Sequence, residues 1–381
     1  MKIAYLNTLG IPARYRGFET CVEEVATRLV RKGHKVTVYC GSSSSSRPRS
    51  YKGVDLAYVP RSSNKFIDYP TRSLLSTFDA MSKDFDILHY YGTDSSIFTV
   101  LPRALSKKKL VMSLDGLAWN RSSYPKWVQT ALRASSWLPL YIPDATIVDS
   151  LHVREWYRRA YGKAPTYIPY GAEVSPRGAD IDVLRKFDVE PDKYALFVGA
   201  LVREKGVHHL IRAFNELGAD SNLKLVIVGG NPYSTSYETS LRKMAGNNVR
   251  FLGYVYGYDL EHLLKGAYLY VTASELEGTS PALLSAMGFG NCVVVSDILE
   301  NLETIGDSGV SFRNMDSQDL RVKILHLLCN PDTVHNYREK AVQRVAKLYS
   351  WDSVAERTER LYLSLIQPAG DSHKLIQMHG A

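Results

Sequence analysis

The feature that most constrains the fold is a repeated alternation of strand-like and helix-like segments. Near the N-terminus the apolar run "KIAYLN" at 2–7 leads through a loop into an amphipathic segment at 18–32, and Gly33 and the strand-like "KVTVYC" at 35–40 follow. A buried strand, a helix and a second buried strand make a βαβ unit, whose strands pair in parallel. The sequence therefore predicts an α/β fold built on parallel sheets.

The alternation runs along the chain in two series. The first series continues with strand-like segments at 86–92, 109–116 and 145–150. The second series begins near Tyr194, and its strand-like segments lie at 194–201, 223–230, 249–255, 268–274 and 292–297, separated by helix-like segments. Each series predicts one Rossmann-like, doubly wound parallel sheet.

The length of 381 residues suits two domains. We expect an N-terminal domain at 1–172, a linker at 173–190, a C-terminal domain at 191–350 and a tail at 368–381. The amphipathic segment at 351–367 is expected to cross back onto the first domain. Because ligands bind at the carboxyl ends of parallel strands, two such domains are expected to face each other across a cleft.

Charge and composition limit the classes of binding partner that we expect. The formal net charge of +8 suits nucleic acid, an anionic membrane surface or phosphorylated small molecules, or is an ordinary solvated surface. No helix-turn-helix, zinc-finger or RNP-like pattern is present, so we expect no nucleic-acid partner. The four cysteines are scattered, and no apolar run approaches the roughly 20 residues that span a bilayer. We therefore expect a cytoplasmic protein.

Two common nucleotide-binding motifs and a metal site are not expected. The first strand is not followed by GxGxxG, and no GxxxxGK[ST] motif occurs, which argues against dinucleotide oxidoreductases and P-loop NTPases. The pair Asp180 and Asp182 imitates a metal-binding Asp-x-Asp motif but lies in the expected linker. The sequence therefore predicts neither a cofactor nor a metal.

The stretch "ELEGTSPALLSAM" at 275–287 follows a predicted strand and begins a helix. Ser280 suits the N-cap and Pro281 the first helical position. Free backbone N–H groups and the helix dipole attract anions, and Gly278 with Thr279 would allow a phosphate to approach the backbone. The alternative is an ordinary capped helix without a ligand.

Arg203 and Lys205 follow the first strand of the second series. Two cations at the carboxyl end of a strand, beside the start of a helix, suit a diphosphate group. The alternative is a pair of solvated loop charges. Together with the stretch at 275–287, these cations indicate a site for a phosphorylated ligand.

These segments resemble a known family. "VGALVREKGVHHLIRAF", "FLGYV" and "SELEGTSPALLSAM" look, in that order, like the C-terminal half of GT-B glycosyltransferases of family four. The N-terminal segments "HYYGTD" and "DGLAWNRSSYPKW" are similar to its rhamnosyltransferase-like branch. The resemblance implies a metal-independent enzyme of polysaccharide biosynthesis. It would move rhamnose or another hexose from a nucleoside diphosphate sugar to a glycan or lipid-linked acceptor, with retention of anomeric configuration.

The resemblance assigns donor-binding roles in the second series. Lys205 matches the lysine that binds the diphosphate, and Arg203 would substitute for the arginine that Ala200 replaces. Glu277 matches the first acid of the family's E-x7-E pattern, near the donor sugar, whereas the second acid is Ser285 here. The remaining matches are the nucleobase segment Tyr254 and Val255, and the phosphate-binding turn Gly278 and Thr279.

In the first series Gly17 matches the second glycine of a pair that approaches the donor phosphates, and Arg16 replaces the first. Asp115 matches an aspartate of the rhamnosyltransferase-like branch that would orient the donor sugar or the acceptor. If the reaction inverts, Asp115 is the expected general base. Arg121, Lys126 and Trp127 continue the pattern of this branch and are expected to face the acceptor.

Three alternatives stay open. Trp127, Trp137 and the neighbouring cations suit docking of an anionic membrane at its inner, cytoplasmic face, but these aromatics would equally fit a core. Ser285 and Ala200 leave room for a non-catalytic sugar-nucleotide-binding partner subunit. A sugar-nucleotide epimerase on the same fold is the third alternative.

Overall fold

A computed structural model describes most of the chain. The described residues are 1–13, 17–42, 47–60, 65–114, 116–117, 119, 125–217, 221–231 and 236–366. Asp115, Arg16, Arg121 and the expected tail at 368–381 lie outside them. The chain forms two compact units, of which the first comprises Met1–Pro169 and the segment from Trp351 onward, and the second comprises Tyr170–Ser350.

The first unit is built on one sheet. Its strands are β1 (Lys2–Leu6), β2 (Lys35–Ser42), β3 (Ser50–Tyr51), β4 (Val54–Pro60), β5 (Ile87–Tyr91), β6 (Lys109–Leu114), β7 (Ala145–Val148) and β8 (Thr166–Tyr167). They lie in the order β3-β4-β2-β1-β5-β6-β7-β8, and all pairs are parallel except β3 with β4. Because β1 is followed in sequence by β2 on one side and pairs with β5 on the other, the strand order reverses between β1 and β5.

Helices connect these strands. They are α1 (Gly17–Arg31), α2 (Lys65–Ser82), α3 (Val100–Leu105), α4 (Lys126–Ala134), α5 (Leu138–Tyr141) and α6 (Leu151–Tyr161), with a 3₁₀ segment at Thr93–Thr99. In α1 the apolar positions of the sequence pattern, among them Val22, Val25 and Leu29, are buried as the helical spacing predicts. Gly33 follows at φ 88°, a left-handed conformation that ends the helix.

The second unit contains a parallel sheet with strands β9 (Tyr194–Val198), β10 (Lys224–Val228), β11 (Val249–Gly253), β12 (Leu269–Thr272), β13 (Cys292–Ser296) and β14 (Val310–Phe312). Their order is β11-β10-β9-β12-β13-β14, which is the doubly wound Rossmann order. Its helices are α7 (Ile181–Lys186), α8 (Val207–Leu217), α9 (Ser236–Met244), α10 (Gly257–Gly266), α11 (Pro281–Gly288), α12 (Leu299–Ile305), α13 (Ser317–Cys329) and α14 (Pro331–Leu348). Two parallel-sheet α/β units are therefore present, as the sequence predicts.

The segment at 173–190, expected as a linker, lies within the second unit. It contains α7, which Asp180 caps by accepting a hydrogen bond from the backbone of Asp182. Tyr258 also donates a hydrogen bond to Asp180, at 3.0 Å. The Asp-x-Asp pair therefore serves to begin a helix. Pro, Gly and charge at 173–190 suggested a linker, but Val183 and Leu184 are buried and hold the segment against the unit.

The last helix, α15 (Trp351–Ile366), belongs to the first unit. Arg28 of α1 donates a hydrogen bond to Asp352 at 2.7 Å, and Lys32 contacts Glu359 at 2.6 Å. In the interior, His89 of β5 contacts the hydroxyl of Tyr362 at 2.6 Å. No helix among the described residues has the length and apolar character needed to cross a bilayer.

Candidate donor-binding site

The candidate site lies at the point where the strand order of the second sheet reverses. There β9 and β12 are neighbours. The chain continues from β9 to β10 on one side of this point and from β12 to β13 on the other. Loops that leave the carboxyl ends of two such strands diverge and leave a crevice, which is where open α/β sheets bind ligands. The loop after β9 carries Arg203 and Lys205, and the loop after β12 carries Glu277 and Gly278.

The two loops meet through a charged pair. The ammonium group of Lys205 contacts a carboxylate oxygen of Glu277, and the side chains are 25% and 10% exposed. The backbone N–H of Glu275 donates to the carbonyl oxygen of Glu204 at 2.8 Å. A cation and a carboxylate are thereby held side by side at the carboxyl ends of β9 and β12, and both are partly exposed to solvent.

A glycine permits this close approach. Arg203–Lys205 form a 3₁₀ turn that ends at Gly206, whose φ is 61°. A Cβ atom on Gly206 would lie 1.9 Å from the carbonyl oxygen of Ala273 in the loop after β12. Any side chain there would push the two loops apart, so Gly206 is required both by its conformation and by the space available.

The helix start predicted at 280–281 is confirmed. Ser280 is the N-cap of α11, its hydroxyl accepts a hydrogen bond from the backbone of Leu283 at 3.5 Å, and Pro281 is the first helical residue. Thr279 is buried directly before this cap. Ser285 lies in the second turn and is half-buried. The positive end of the helix dipole and the Lys205 ammonium group therefore belong to neighbouring loops at one edge of the sheet.

The predicted nucleobase segment follows β11, the strand at the edge of the same sheet. Tyr254 is half-exposed, and its ring lies nearly parallel to that of Tyr256, at a centroid distance of 6.0 Å and an angle of 13°. A Cβ atom on Gly230, after β10, would come within 2.9 Å of the Tyr254 ring. Val255 is buried, so its side chain is not available to a ligand.

Arg203 has an exposed side chain on the 3₁₀ turn. Its charge acts on the nearby His208, whose pKa is lowered to about 4 by burial and by the adjacent His209, Arg212 and Arg203. The ring of His208 is therefore neutral near pH 7. The cationic character at this edge of the sheet comes from the arginine and lysine side chains.

The carboxyl edge of the first sheet holds buried polar groups that sequence reasoning missed. Gly17 begins α1, and the carboxylate of Glu19 accepts a hydrogen bond from the backbone of Leu9 at 3.0 Å, after β1. The side-chain amide of Asn7, the second carboxylate oxygen of Glu19 and the hydroxyl of Thr93 are buried and have no hydrogen-bond partner among the described residues. These groups follow β1 and β5, the two strands at which this sheet reverses its order. Nothing in the sequence marks Asn7, Glu19 and Thr93 as members of one group, because only the fold brings them together.

The predicted acceptor-side residues divide into two groups. Lys126 and Trp127 begin α4, and both are exposed, with Trp127 at 75%. Asp115 and Arg121 lie outside the described residues. No residue of α4 is fully buried, so the alternative that Trp127 belongs to a core does not hold.

Sequence reasoning also missed a cluster of His208, His209 and Glu275 in the second unit. Its possible ligand atoms lie within 4.8 Å of one another, in the residues that the structure describes. The adjacent histidines in "GVHHLIRAF" were the available signal. The sequence could not show that Glu275 lies near the two histidines, because this depends on β9 and β12 being neighbours in the sheet.

Both units are similar to known protein families. The family model described as Glycosyltransferase Family 4 matches residues 15–176. The model described as Glycosyl transferases group 1 matches residues 182–344. The two matches follow one another along the chain and correspond closely to the two structural units.

Curated relatives are similar at low identity. An uncharacterized glycosyltransferase of Methanocaldococcus jannaschii is 30% identical over 50% of this chain and 50% of its own. O-antigen chain mannosyltransferase B of Escherichia coli is 28% identical over 51% of each chain. The chain thus spans about half the length of these two relatives. O-antigen chain mannosyltransferase C of Escherichia coli is 22% identical over 96% of this chain and 99% of its own.

Solved structures share the fold of the whole chain. Sucrose-phosphate synthase from Thermosynechococcus elongatus has a TM-score of 0.80 at 19% identity, covering 96% of this chain and 98% of its own. The Anabaena protein HepE, solved in complex with UDP and glucose, has a TM-score of 0.78 at 17% identity, covering 96% and 100%. Residues 15–176 are therefore similar to Glycosyltransferase Family 4 and residues 182–344 to Glycosyl transferases group 1, and the whole chain has the GT-B fold.

Proposed function

We propose that the protein is a glycosyltransferase that moves rhamnose or another hexose from a nucleoside diphosphate sugar to a hydroxyl of a glycan or lipid-linked acceptor. The observation that carries this proposal is the pairing of Lys205 with Glu277 where the second sheet reverses its strand order. A cation for the phosphates and an acid for the sugar hydroxyls are the two groups that such a donor needs at one place.

The leaving group of this reaction is a nucleoside diphosphate, whose negative charge grows as the bond to the sugar breaks. Lys205, Arg203 and the N-terminus of α11 would stabilise this charge. On donor binding, the Lys205 ammonium group is proposed to turn from Glu277 to the phosphates, and Glu277 would accept hydrogen bonds from the sugar. Tyr254 and the backbone of Val255 would hold the nucleobase, and Gly278 with Thr279 the phosphate turn.

The protein's cations would do this work without a metal bridging the diphosphate. We propose retention of anomeric configuration, with a donor phosphate oxygen helping to take the proton of the acceptor hydroxyl. Asp115 and Gly17 are proposed to position the donor or the acceptor. Analysis of the product anomer by NMR decides this point, because an inverted product would make Asp115 the expected general base.

A cell-envelope glycan is the acceptor class that we favour. The similar proteins of Escherichia coli are by name O-antigen chain mannosyltransferases. On this chain, α4 presents Lys126, Trp127 and Arg133 to solvent, and Trp137 is 44% exposed just beyond it. Exposed tryptophans among cations suit the interface of an anionic membrane at the cytoplasmic face.

Liposome flotation tests the membrane part of the proposal. We expect salt-sensitive binding to vesicles that contain anionic lipid, and weaker binding of the Trp127→Ala variant. The exposed Tyr258 of the second unit offers a matched control, and Tyr258→Ala should bind as the unchanged protein does. Equal flotation with and without anionic lipid would contradict membrane docking while leaving the transferase proposal intact.

One observation favours a second function. Ser285 stands where the resemblance expects a carboxylate, and Ala200 stands where it expects an arginine. A non-catalytic sugar-nucleotide-binding subunit would tolerate both changes. Thermal-shift screening of UDP-, dTDP- and GDP-sugars tests donor binding for both functions. Release of nucleoside diphosphate only when an acceptor is present then supports the transferase, whereas tight donor binding without turnover on any acceptor supports the silent subunit.

A further inference from the structure

The second unit contains a cluster of potential metal ligands beside the candidate donor site. His208 and His209 lie in the first turn of α8, and Glu275 lies in the loop after β12. The Nε2 atoms of His208 and His209 are 3.8 Å and 3.5 Å from the same carboxylate oxygen of Glu275. Three ligand atoms at these separations need only small side-chain shifts to reach a common ion at about 2.0–2.2 Å.

The position of the two rings is unusual for their place in the chain. Consecutive side chains on a helix do not normally face each other. Here the centroids of the two imidazole rings are only 4.0 Å apart, and the rings are tilted by 40°. Both rings are therefore directed to the same side, towards Glu275.

His209 supplies an independent observation. It is 5% exposed, and within the described part of the chain neither of its ring nitrogens makes a hydrogen bond of ordinary geometry, although Nε2 faces the Glu275 carboxylate at 3.5 Å. Buried polar groups almost always have a partner, so a buried imidazole without one requires an explanation. A metal ion bound at Nε2 would satisfy the nitrogen that lies nearest to the Glu275 carboxylate.

His208 has the support that metal-binding histidines usually have. Its Nδ1 lies 2.8 Å from the hydroxyl of Tyr237 on α9. If Nδ1 carries the proton and donates it to this hydroxyl, Nε2 is left with a free electron pair on the side of Glu275. Such a hydrogen bond to the second nitrogen fixes the tautomer and orientation of a ligating histidine.

We propose that His208, His209 and Glu275 bind one divalent transition-metal ion, with Zn²⁺ as the best match to two imidazoles and a carboxylate. The ion fastens the first turn of α8 to the loop after β12. Lys205 lies two residues before α8 and Glu277 lies in the loop after β12, so the metal stabilises the geometry of the proposed donor site and is separate from the diphosphate chemistry. The sequence predicts no metal here, because the cluster is marked in the sequence only by a pair of adjacent histidines.

Zinc binding to the full chain, prepared without a polyhistidine tag and treated with a chelator, tests the proposal directly. We expect one equivalent of Zn²⁺ per chain by competition with a chromophoric chelator, and a visible absorption spectrum of the Co²⁺ form. His208→Ala and His209→Ala should each weaken Zn²⁺ binding at least 100-fold. Tyr237→Phe should weaken it about 10-fold, since it removes only the support of His208.

A matched control is available on α14. The exposed His335 lies 3.3 Å from Glu339, so His335→Ala removes a histidine–carboxylate pair of the ordinary surface kind. This variant should keep one equivalent of Zn²⁺ with unchanged affinity. If buried His209→Ala fails to fold, the half-buried His208→Ala decides the question alone. Absence of stoichiometric Zn²⁺ binding, or equal binding by the His208→Ala and His335→Ala variants, would overturn the proposal. Neither readout depends on sugar transfer.

Discussion

The side chains of Lys205 and Glu277 are in contact although 72 residues separate them in the chain. The contact arises because β9 and β12 are neighbours in the sheet and their loops leave from the same edge. It places one positive and one negative group beside the N-terminus of α11. We propose this pair as the centre of the candidate donor site, and the first predictions concern it.

Lys205→Ala should weaken binding of the preferred nucleoside diphosphate at least tenfold, which corresponds to about 1.4 kcal/mol. The loss is expected because an ammonium–phosphate interaction disappears. The free energy of unfolding should change by only about 1 kcal/mol, since the pair is partly open to solvent. Isothermal titration calorimetry and urea unfolding measure the two quantities.

Lys265→Ala is the matched control. Lys265 forms a similar pair with Glu261 on α10, at 2.6 Å, in the same unit. Its removal should leave nucleotide binding unchanged. If Lys205→Ala lowers the free energy of unfolding by much more than about 1 kcal/mol and leaves nucleotide binding by the folded protein unchanged, Lys205 has a structural role instead.

Gly206→Ala should destabilise the second unit by more than about 2 kcal/mol. The new methyl group would meet the carbonyl oxygen of Ala273, and the residue has a positive φ. Gly162→Ala separates the two effects. Gly162 also has a positive φ, 69°, but a methyl group added there would meet no atom of the described residues within 4 Å. That control should cost only about 1 kcal/mol. Calorimetry of both variants is the measurement, and equal losses would show that the contact with Ala273 carries no energy.

Ser285→Glu should strengthen donor binding. The change restores a carboxylate on the second turn of α11, and a charge-assisted hydrogen bond of about 1.5–3 kcal/mol corresponds to roughly tenfold or more in affinity. Ser285→Gln has a similar size without the charge and should give a smaller gain. Dissociation constants of the nucleoside diphosphate sugar measure both. A folded Ser285→Glu variant with weaker donor binding would show that this position has no part in the site.

His89 should make the stability of the first unit depend on pH. Burial lowers the pKa of His89 to about 3, below its ordinary value of 6.5. Between pH 3 and pH 6.5 the unfolded state therefore binds a proton at His89 that the folded state does not bind. As a result, the stability of the folded state is not reduced by His89 above pH 6.5, and the free energy of unfolding decreases as the pH falls from 6.5 towards 3. The surrounding groups Tyr5, Tyr91, Tyr362 and Cys21 all have raised pKa values and stay uncharged in this range.

Tryptophan fluorescence measures this effect, because all five tryptophans of the chain lie in the first unit. We expect the unfolding free energy to fall by up to about 1.4 kcal/mol per pH unit below pH 6.5 from this one proton. His89→Gln removes the titrating group and should show a shallower slope, whatever its stability at neutral pH. The same slope in both proteins would contradict the assignment.

Much of the fold follows from the sequence. The runs "KIAYL" and "CVVVS" are strands that are buried almost throughout, as parallel sheets require, and in "KVTVYC" all the apolar residues are buried. The short strand β14 has only three residues, Val310–Phe312, and β8 has two. Strands of this length are too short to show a recognisable pattern of apolar residues in the sequence. The segment at 173–190 was misleading because composition does not reveal the packing of Val183 and Leu184.

Single residues of the candidate site could be predicted from the sequence, but their positions relative to one another could not. Ser280 and Pro281 define a helix start locally, and Lys205 could be assigned by resemblance. The requirement for Gly206 depends on the position of Ala273, which the sheet order alone determines. The same is true of Glu275 and the two histidines, which are separated in sequence by more than sixty positions.

Transfer itself is the most direct test of the central claim. The measurement is nucleoside diphosphate released from UDP-, dTDP- and GDP-sugars with a mixture of glycan and lipid-linked acceptors, for the unchanged protein, Lys205→Ala and Lys265→Ala. We predict that one donor is consumed only when acceptor is present, that Lys205→Ala lowers the rate at least about 100-fold, as loss of a charge-stabilising group does, and that Lys265→Ala does not. Donor binding without acceptor-dependent release for any donor, or equal rates for Lys205→Ala and the unchanged protein, would contradict the account.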